Sequence, residues 1–325
     1  MPHLRPILTL TAKRARIMGR VQDLITVIIP VYNAGEYIKF ALASLEMQSH
    51  TNFEALIIDG STDSTSNMIA EFVHSDHRFK SYKIQNLGPG FARNFGIDKA
   101  TGKYVAFMDH DDIVAESWLN DLYATARKED ADIAFCSGVN FSGNSVSLLE
   151  LPTISDTVYT LNDVLRDQIS CVFIAPWLKL MPLDFVKSNN LKFSLDNKFD
   201  DVLFHFCAIH AAQKIAFTGE RLYYHRVHDK SISSESTTNN DLFFYHFKTL
   251  YDLILYKYDQ KMIKRFMFFL NSYSEHITSK LIYIKTYNQI AEYLNQNNHD
   301  AILNAIESLF FFSWKLFLDK PLKFS

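Results

Sequence analysis

The chain has 325 residues, 48% of them hydrophobic and 14% aromatic, with a formal net charge of -3. That is enough material for one large α/β domain with an appendage or for two domains, and near-neutral charge gives no basis for nucleic acid as a partner. The three cysteines, Cys136, Cys171 and Cys207, lie too far apart in sequence to read as a metal-ligand pair or a disulfide scaffold, which suits a reducing cytosol. No apolar run reaches the ~18 residues of a spanning helix.

Residues 1–20 carry Arg5, Lys13, Arg14, Arg16 and Arg20 and no acid. They lack the apolar core of a secretory signal, so they are expected to be a disordered or artefactual leader, with Met18 as an alternative start. Thr26–Pro30 is a β-branched run that reads as a buried strand. Asn33, three before Glu36, suggests a reciprocal cap for a helix whose apolar face is Ile38, Ala41, Leu42 and Leu45. Phe53–Ile58 reads as the second strand. It ends in Asp59-Gly-Ser-Thr-Asp63, where Ser61, Thr62 and Asp63 are candidates to cap a helix striped with Met68, Ile69, Phe72 and Val73. A third strand near Ser81–Ile84 leads to Leu87-Gly-Pro-Gly-Phe-Ala-Arg-Asn94. There the glycines would let backbone N–H groups approach an anion, with Arg93 adding charge, although most such turns are only turns.

The fourth strand, Tyr104–Met108, ends abruptly in Asp109, Asp111 and Asp112, with His110 between the first two. Acids at the end of a buried strand are costly unless something positive sits there. In extended geometry Asp109 and Asp111 point to one side and suit a hard divalent cation; the competing reading is an acidic turn capping a helix near Glu116. Strand and helix alternate from Thr26 to about Cys136 with short connections, the signature of a doubly wound, mostly parallel α/β sheet. The segments after all four strands would meet at one edge.

After Val139 the pattern loosens. Ser137–Ser147 reads as a loop, followed by a helix near Leu161–Gln168 and an apolar segment, Cys171–Leu178. Asp200 and Asp201 head an apolar helix, where simple dipole capping is the plain alternative to a catalytic role. His205 and His210 read as helix-face residues rather than ligands. Arg221–His228 alternates enough to be a strand returning to the sheet. From Asn239 the sequence is helical in period and rich in aromatics, ending in Leu309–Phe324, which mixes six aromatic residues with Lys315, Lys320 and Lys323. Packing on its own domain is the preferred reading of that stretch; a peripheral membrane contact is the alternative.

Thr26-Val-Ile-Ile-Pro-Val-Tyr-Asn33, Asp59-Gly-Ser-Thr-Asp63, Ala92-Arg-Asn94 with Gly96, Ala100-Thr-Gly-Lys-Tyr104 and Asp109-His-Asp-Asp112 together resemble the ordered motifs of family 2 glycosyltransferases. These are inverting enzymes of the GT-A fold, and the resemblance covers roughly residues 24 to 136. It continues more weakly through Pro176-Trp-Leu-Lys179, Phe199-Asp-Asp-Val202 and Tyr223-Tyr-His-Arg-Val-His228 with Ser231. The Gln-x-x-Arg-Trp motif of processive members is missing, which favours addition of one sugar. Two departures stand out: Ile58 replaces an acid often found before Asp59, and Asp200-Asp201 replaces the usual Glu-Asp.

The resemblance implies a glycosyltransferase domain over residues 21–236, with a nucleotide-sugar half at about 24–136 and an acceptor half at about 137–236; residues 237–325, which resemble no named family, are read from their period as a helical extension. It implies transfer from a nucleotide-diphospho-sugar, a UDP-sugar foremost, to a glycan or lipid-linked acceptor in bacterial surface-glycan synthesis, in the cytoplasm or at the inner face of the membrane. Pro30, Val31, Tyr32, Asn33, Asp59, Gly88, Arg93, Asp109, His110 and Trp177 are the implied donor-binding residues. A divalent ion, Mn²⁺ or Mg²⁺, is expected on Asp111, Asp109 and His228. Asp201 is the implied base, with Asp200 orienting the acceptor or exchanging roles with it. A nucleotidyltransferase would usually carry a glycine-rich, basic loop where this chain has Val31-Tyr-Asn-Ala-Gly35. A non-catalytic relative should have lost one of Asp111, Asp201 or His228.

Overall fold

The computed structural model describes residues 22–142, 145–148, 158–160, 174–195 and 200–228. The leader, the helix read near Leu161–Gln168 and the extension over 237–325 lie outside the described residues. β1 (Ile25–Val31) and β2 (Phe53–Asp59) are buried at every position. Their Val- and Ile-rich sequences leave no polar side, as a strand covered on both faces requires. They pair in parallel, Ile25 opposite Phe53 and Val31 opposite Asp59. β3 (Phe79–Lys83) adds in parallel outside β2, and β4 (Tyr104–Phe107) in parallel on the far side of β1. β3 starts two residues earlier than the pattern suggests, because buried Phe79 anchors it against Phe53 and Phe72.

The connecting helices are α1 (Tyr37–Glu46), α2 (Thr65–Ser75) and α3 (Pro89–Lys99). α1 buries the expected Ile38, Ala41, Leu42 and Leu45. Asn33, however, does not cap it. It adopts a left-handed φ of 49°, which Asn tolerates better than most residues, and its side-chain oxygen accepts the Thr62 N–H at 2.8 Å. Ser61 Oγ in turn accepts the Asn33 N–H at 3.0 Å. The turns after β1 and β2 are therefore laced to each other; of the three expected caps only Asp63 bonds into α2, through the Thr65 N–H.

Next come β5 (Ile113–Val114), α4 (Trp118–Glu129) and β6 (Ile133–Ser142). The stretch read as a loop from Ser137 is instead strand: β6 continues to Ser142 and β7 (Ser145–Leu148) pairs back on it. Ser137 and Asn140 are partly exposed on β6, and Ser142 is exposed. β8 (Val158–Thr160), a tight turn at Pro176–Leu178, β9 (Lys179–Pro182), α5 (Leu183–Ser188), α6 (Asp200–Ala211) and β10 (Lys214–Arg226) complete the described chain.

β9 is the strand that no pattern announces, since it has four residues and opens with a lysine. It inserts antiparallel to both β4 and β6 and joins the two halves into one sheet. The order is β3-β2-β1-β4-β9-β6-β10-β5, with β7 on β6 and β8 on β10. β10 runs parallel to β6 with register shifts between Phe217 and Tyr223, and its last residues reach β5. Because β1 to β4 run one way, the segments following them open at a common edge, where ligands bind in such sheets. Among the described residues no helix is long and apolar enough to cross a membrane.

Candidate active site

Beyond β4 the four polar residues go to four different places. Asp109 Oδ1 accepts a hydrogen bond from Arg93 Nη2 at 2.7 Å. His110 Nδ1 lies 3.0 Å from the Pro30 carbonyl oxygen, tying the segment to β1. Asp111 Oδ2 lies 2.9 Å from Nε2 of His228, just past the end of β10. Asp112 is fully buried and accepts bonds from the Tyr223 hydroxyl at 2.8 Å and the Arg226 N–H at 2.7 Å. Burial, then Asp109 and Asp111, push the Asp112 carboxyl well above the carboxylate range. Burial alone would also raise Asp111, but His110 and the bond from His228 outweigh it and hold that carboxyl low.

Asp111 and His228 are a carboxylate and an imidazole, each with about a fifth of its side chain exposed (19% and 20%), and both suit a divalent cation. Asp109 instead turns one carboxylate oxygen to Arg93, and among the described residues no three His, Cys, Asp or Glu side chains form a metal-holding group. Of the expected set Asp111, Asp109 and His228, the structure brings Asp111 and His228 together and sets Asp109 against Arg93. Around the pair, the His228 ring lies 5.2 Å from that of Tyr37, and the Arg226 guanidinium sits between the rings of Tyr37 and Phe141 at 4.8 and 4.4 Å. Arg226 also donates its Nε–H to the Asp111 carbonyl at 2.8 Å.

Arg93, expected to help position the nucleotide, is held between two carboxylates. It is 6% exposed, and its two terminal nitrogens bind Asp109 at 2.7 Å and Asp200 at 2.5 Å. It bridges the acidic end of β4 to the start of α6 rather than offering an open cation to a phosphate. The reason is local: Arg93 lies on the buried face of α3 with Ala92 and Ile97. Burial raises the Asp200 carboxyl and the Arg93 charge opposes that rise. Asp201 follows one residue later. Burial, then the charge of Asp200, push it up to about 7 against the pull of Arg93 and Lys179. Lys179 is fully buried, its Nζ donating to the carbonyls of Ile174 and Ala175 at 2.8 and 2.7 Å, and burial pushes it down to about 7.

The remaining candidates line the ends of the parallel strands. Asp59 is 2% exposed, and its carboxyl accepts bonds from the Ser61 N–H, Ser66 Oγ and Lys83 Nζ at 2.8, 2.6 and 3.1 Å. Burial alone would raise it, yet these bonds hold it below its usual value. Val31 accepts the Gly60 N–H at 2.9 Å, and Tyr32 beside it is 46% exposed. Gly88 precedes α3 with φ of 92°, a conformation glycine adopts freely. Trp177 is 7% exposed and stacks on Tyr223 and His225 with centroids 4.2 and 5.5 Å apart, so it packs as core rather than as an open platform.

Sequence reading gave Tyr223, Lys179 and Lys83 no role. The Tyr223 hydroxyl both binds Asp112 and accepts the Asp109 N–H at 3.0 Å, so one buried phenol fastens the acidic segment to β10. Its place inside a motif was visible; its partner, 111 positions away, was not.

The profile of glycosyl transferase family 2 matches residues 26–182. The chain is 29% identical over 223 residues to glycosyltransferase GlyG of Streptococcus pneumoniae, covering 65% of this chain and 73% of that one. It is 32% identical over 216 residues to the uncharacterized glycosyltransferase YibD of Escherichia coli, covering 64% and 63%. S. pneumoniae GlyA is matched over 32% of its length and an uncharacterized glycosyltransferase of Haemophilus influenzae over 96%. Among solved structures, S. aureus TarS residues 1–349 in complex with UDP-GlcNAc superposes with a TM-score of 0.73, at 20% identity and 89% coverage of both chains. That likeness fixes the fold as GT-A, while the profile and the relatives make the chain similar to family 2 glycosyltransferases. Residues 26–182 match glycosyl transferase family 2, and the chain is a glycosyltransferase.

Proposed function

We propose that the chain transfers one sugar, with inversion, from a nucleotide-diphospho-sugar to an acceptor hydroxyl, using Asp201 as the base. One observation carries the reading. Of two adjacent acids, Asp200 is held by Arg93, whereas burial and Asp200 itself poise Asp201 near neutral pH. A general base works best with a pKa near the operating pH. The donor is a UDP-sugar, in keeping with UDP-GlcNAc in the TarS complex, and the acceptor is a glycan or a lipid-linked glycan.

In this reading the exposed Tyr32 and the laced turns carrying Asn33 and Asp59 receive the nucleotide, and Lys83 or Ser66 gives way where a ligand approaches Asp59. Asp111 and His228 are the residues that would hold a divalent ion. A bound ion neutralises charge growing on the departing diphosphate. Asp109 and Arg93 keep the acidic segment and α6 in fixed relation, so that Asp201 meets the acceptor hydroxyl from the opposite half of the sheet edge. Residues 237–325 are the part to which a membrane contact would fall.

Transfer from a panel of UDP-sugars, with Mn²⁺ or Mg²⁺ and then with chelator, tests the assignment. Activity should need the ion and vanish in Asp111→Asn, with the fold intact by circular dichroism. Full turnover in chelator, or in the Asn variant, contradicts the metal pair.

A further inference from the structure

Three residues on one face of α3 touch the acceptor-side segment. Positions 90, 93 and 94 are three and four apart, the spacing that brings helix residues side by side. Arg93 supplies the ion pair to Asp200. The other two work by contact. A Cβ at Gly90 would lie 1.8 Å from the Ser194 carbonyl oxygen and 3.1 Å from Asp200 Cβ. The acceptor-side backbone therefore occupies the space of the missing side chain, and no other residue type fits without displacing it. Asn94 holds the neighbouring residue from both sides. Its Nδ2 donates to the Phe193 carbonyl at 2.9 Å, and the Phe193 N–H donates to its Oδ1 at 2.9 Å.

These contacts lead to the acids by two short routes. The Ser194 N–H donates to the Asp200 carbonyl at 3.1 Å, fixing the first residue of α6. The Phe193 ring stacks on Phe204, one turn into α6, with centroids 4.1 Å apart and planes within 7°. The Arg93 guanidinium lies 5.4 Å from the same Phe193 ring. The first turn of α6 is thus gripped at both ends by elements that rest on α3.

We propose that Gly90 and Asn94 are positioning residues for the Asp200–Asp201 pair: they set how deeply the start of α6 seats against α3, and hence where the Asp201 carboxylate meets the acceptor. This rests on the reading of Asp201 as the base. It also changes the meaning of the glycine-bearing turn. Gly90 serves backbone contact with the acceptor half, not approach of an anion.

The test measures UDP affinity by calorimetry, and kcat with the UDP-sugar that the wild-type chain turns over, in Gly90→Ala and Asn94→Ala, each with and without Asp201→Asn. A misplacement of about 1 Å at a reacting group costs ~10²-fold in rate. Folded single variants should keep UDP affinity within about twofold and lose at least about tenfold in kcat. In the Asp201→Asn background the same changes should add almost nothing, since the group they position is gone. Should Gly90→Ala fail to fold, Asn94→Ala, which creates no clash, carries the comparison. Unchanged kcat in the folded single variants, or an undiminished extra loss on top of Asp201→Asn, overturns the proposal. If Asp201→Asn itself transfers normally, the base reading falls first and takes this premise with it.

Discussion

A helix turns each side chain ~100° from the last, so Asp200 and Asp201 meet different surroundings although they adjoin in sequence. Arg93 reaches Asp200 at 2.5 Å. Asp201 has the Asp200 charge beside it and the buried Lys179 as a positive neighbour. The consequence is a pH dependence with a definite sign. A base acts ionised, and Asp201 is pushed up to about 7, so turnover should fall as pH drops through a midpoint near 7. Lys179→Met removes a positive charge that favours the ionised form, and should move that midpoint upward. Rate profiles of the two proteins check both points. A wild-type rate that stays level from about pH 9 to 5 speaks against Asp201 as the base.

At the scale of the element, β10 matters most after β4. Its register shifts against β6 as it approaches Tyr223, and its end carries Arg226 to the Asp111 and Asp112 segment, with His228 two residues further on. Tyr223→Phe would leave the Asp109 N–H without its phenol acceptor and take from buried Asp112 one of its two donors, leaving the Arg226 N–H. Leaving such a group unsatisfied costs about 1–3 kcal/mol. Urea unfolding should show a loss of that size, and an unchanged midpoint would mean the hydroxyl does not hold the segment.

The same strands show what the sequence could and could not tell. β1, β2 and β4 were legible because burial on both faces forces a continuous apolar run, and Ile38 to Leu45 because a helix on a sheet needs one apolar stripe. β9 and the far end of β6 were not. Their residues are short or polar, and tertiary pairing rather than local preference makes them strands. In the site, acids at strand and helix starts stood out by type. That Arg93 would hold both Asp200 and Asp109 depended on contacts 107 and 16 positions apart.

β9 joins the two halves in one sheet, and the bridge Asp109–Arg93–Asp200, with Arg93 and Asp200 buried, joins them again at the site edge. Breaking a buried pair by removing one partner is costly, ~3–5 kcal/mol, because a charge is left uncompensated. Arg93 therefore ties the acidic segment after β4 to the start of α6. The central claim is that Asp201 takes the acceptor proton while Asp200, held by Arg93, orients it. The most direct measurement is kcat and acceptor KM for Asp201→Asn and Asp200→Asn, with UDP affinity recorded for each. Loss of a general base costs ~10²–10⁴ in rate, so Asp201→Asn should bind UDP normally and lose at least about a hundredfold in kcat. Asp200→Asn should act mainly on acceptor KM. A dead Asp200→Asn beside a nearly normal Asp201→Asn would contradict the assignment and exchange the two roles.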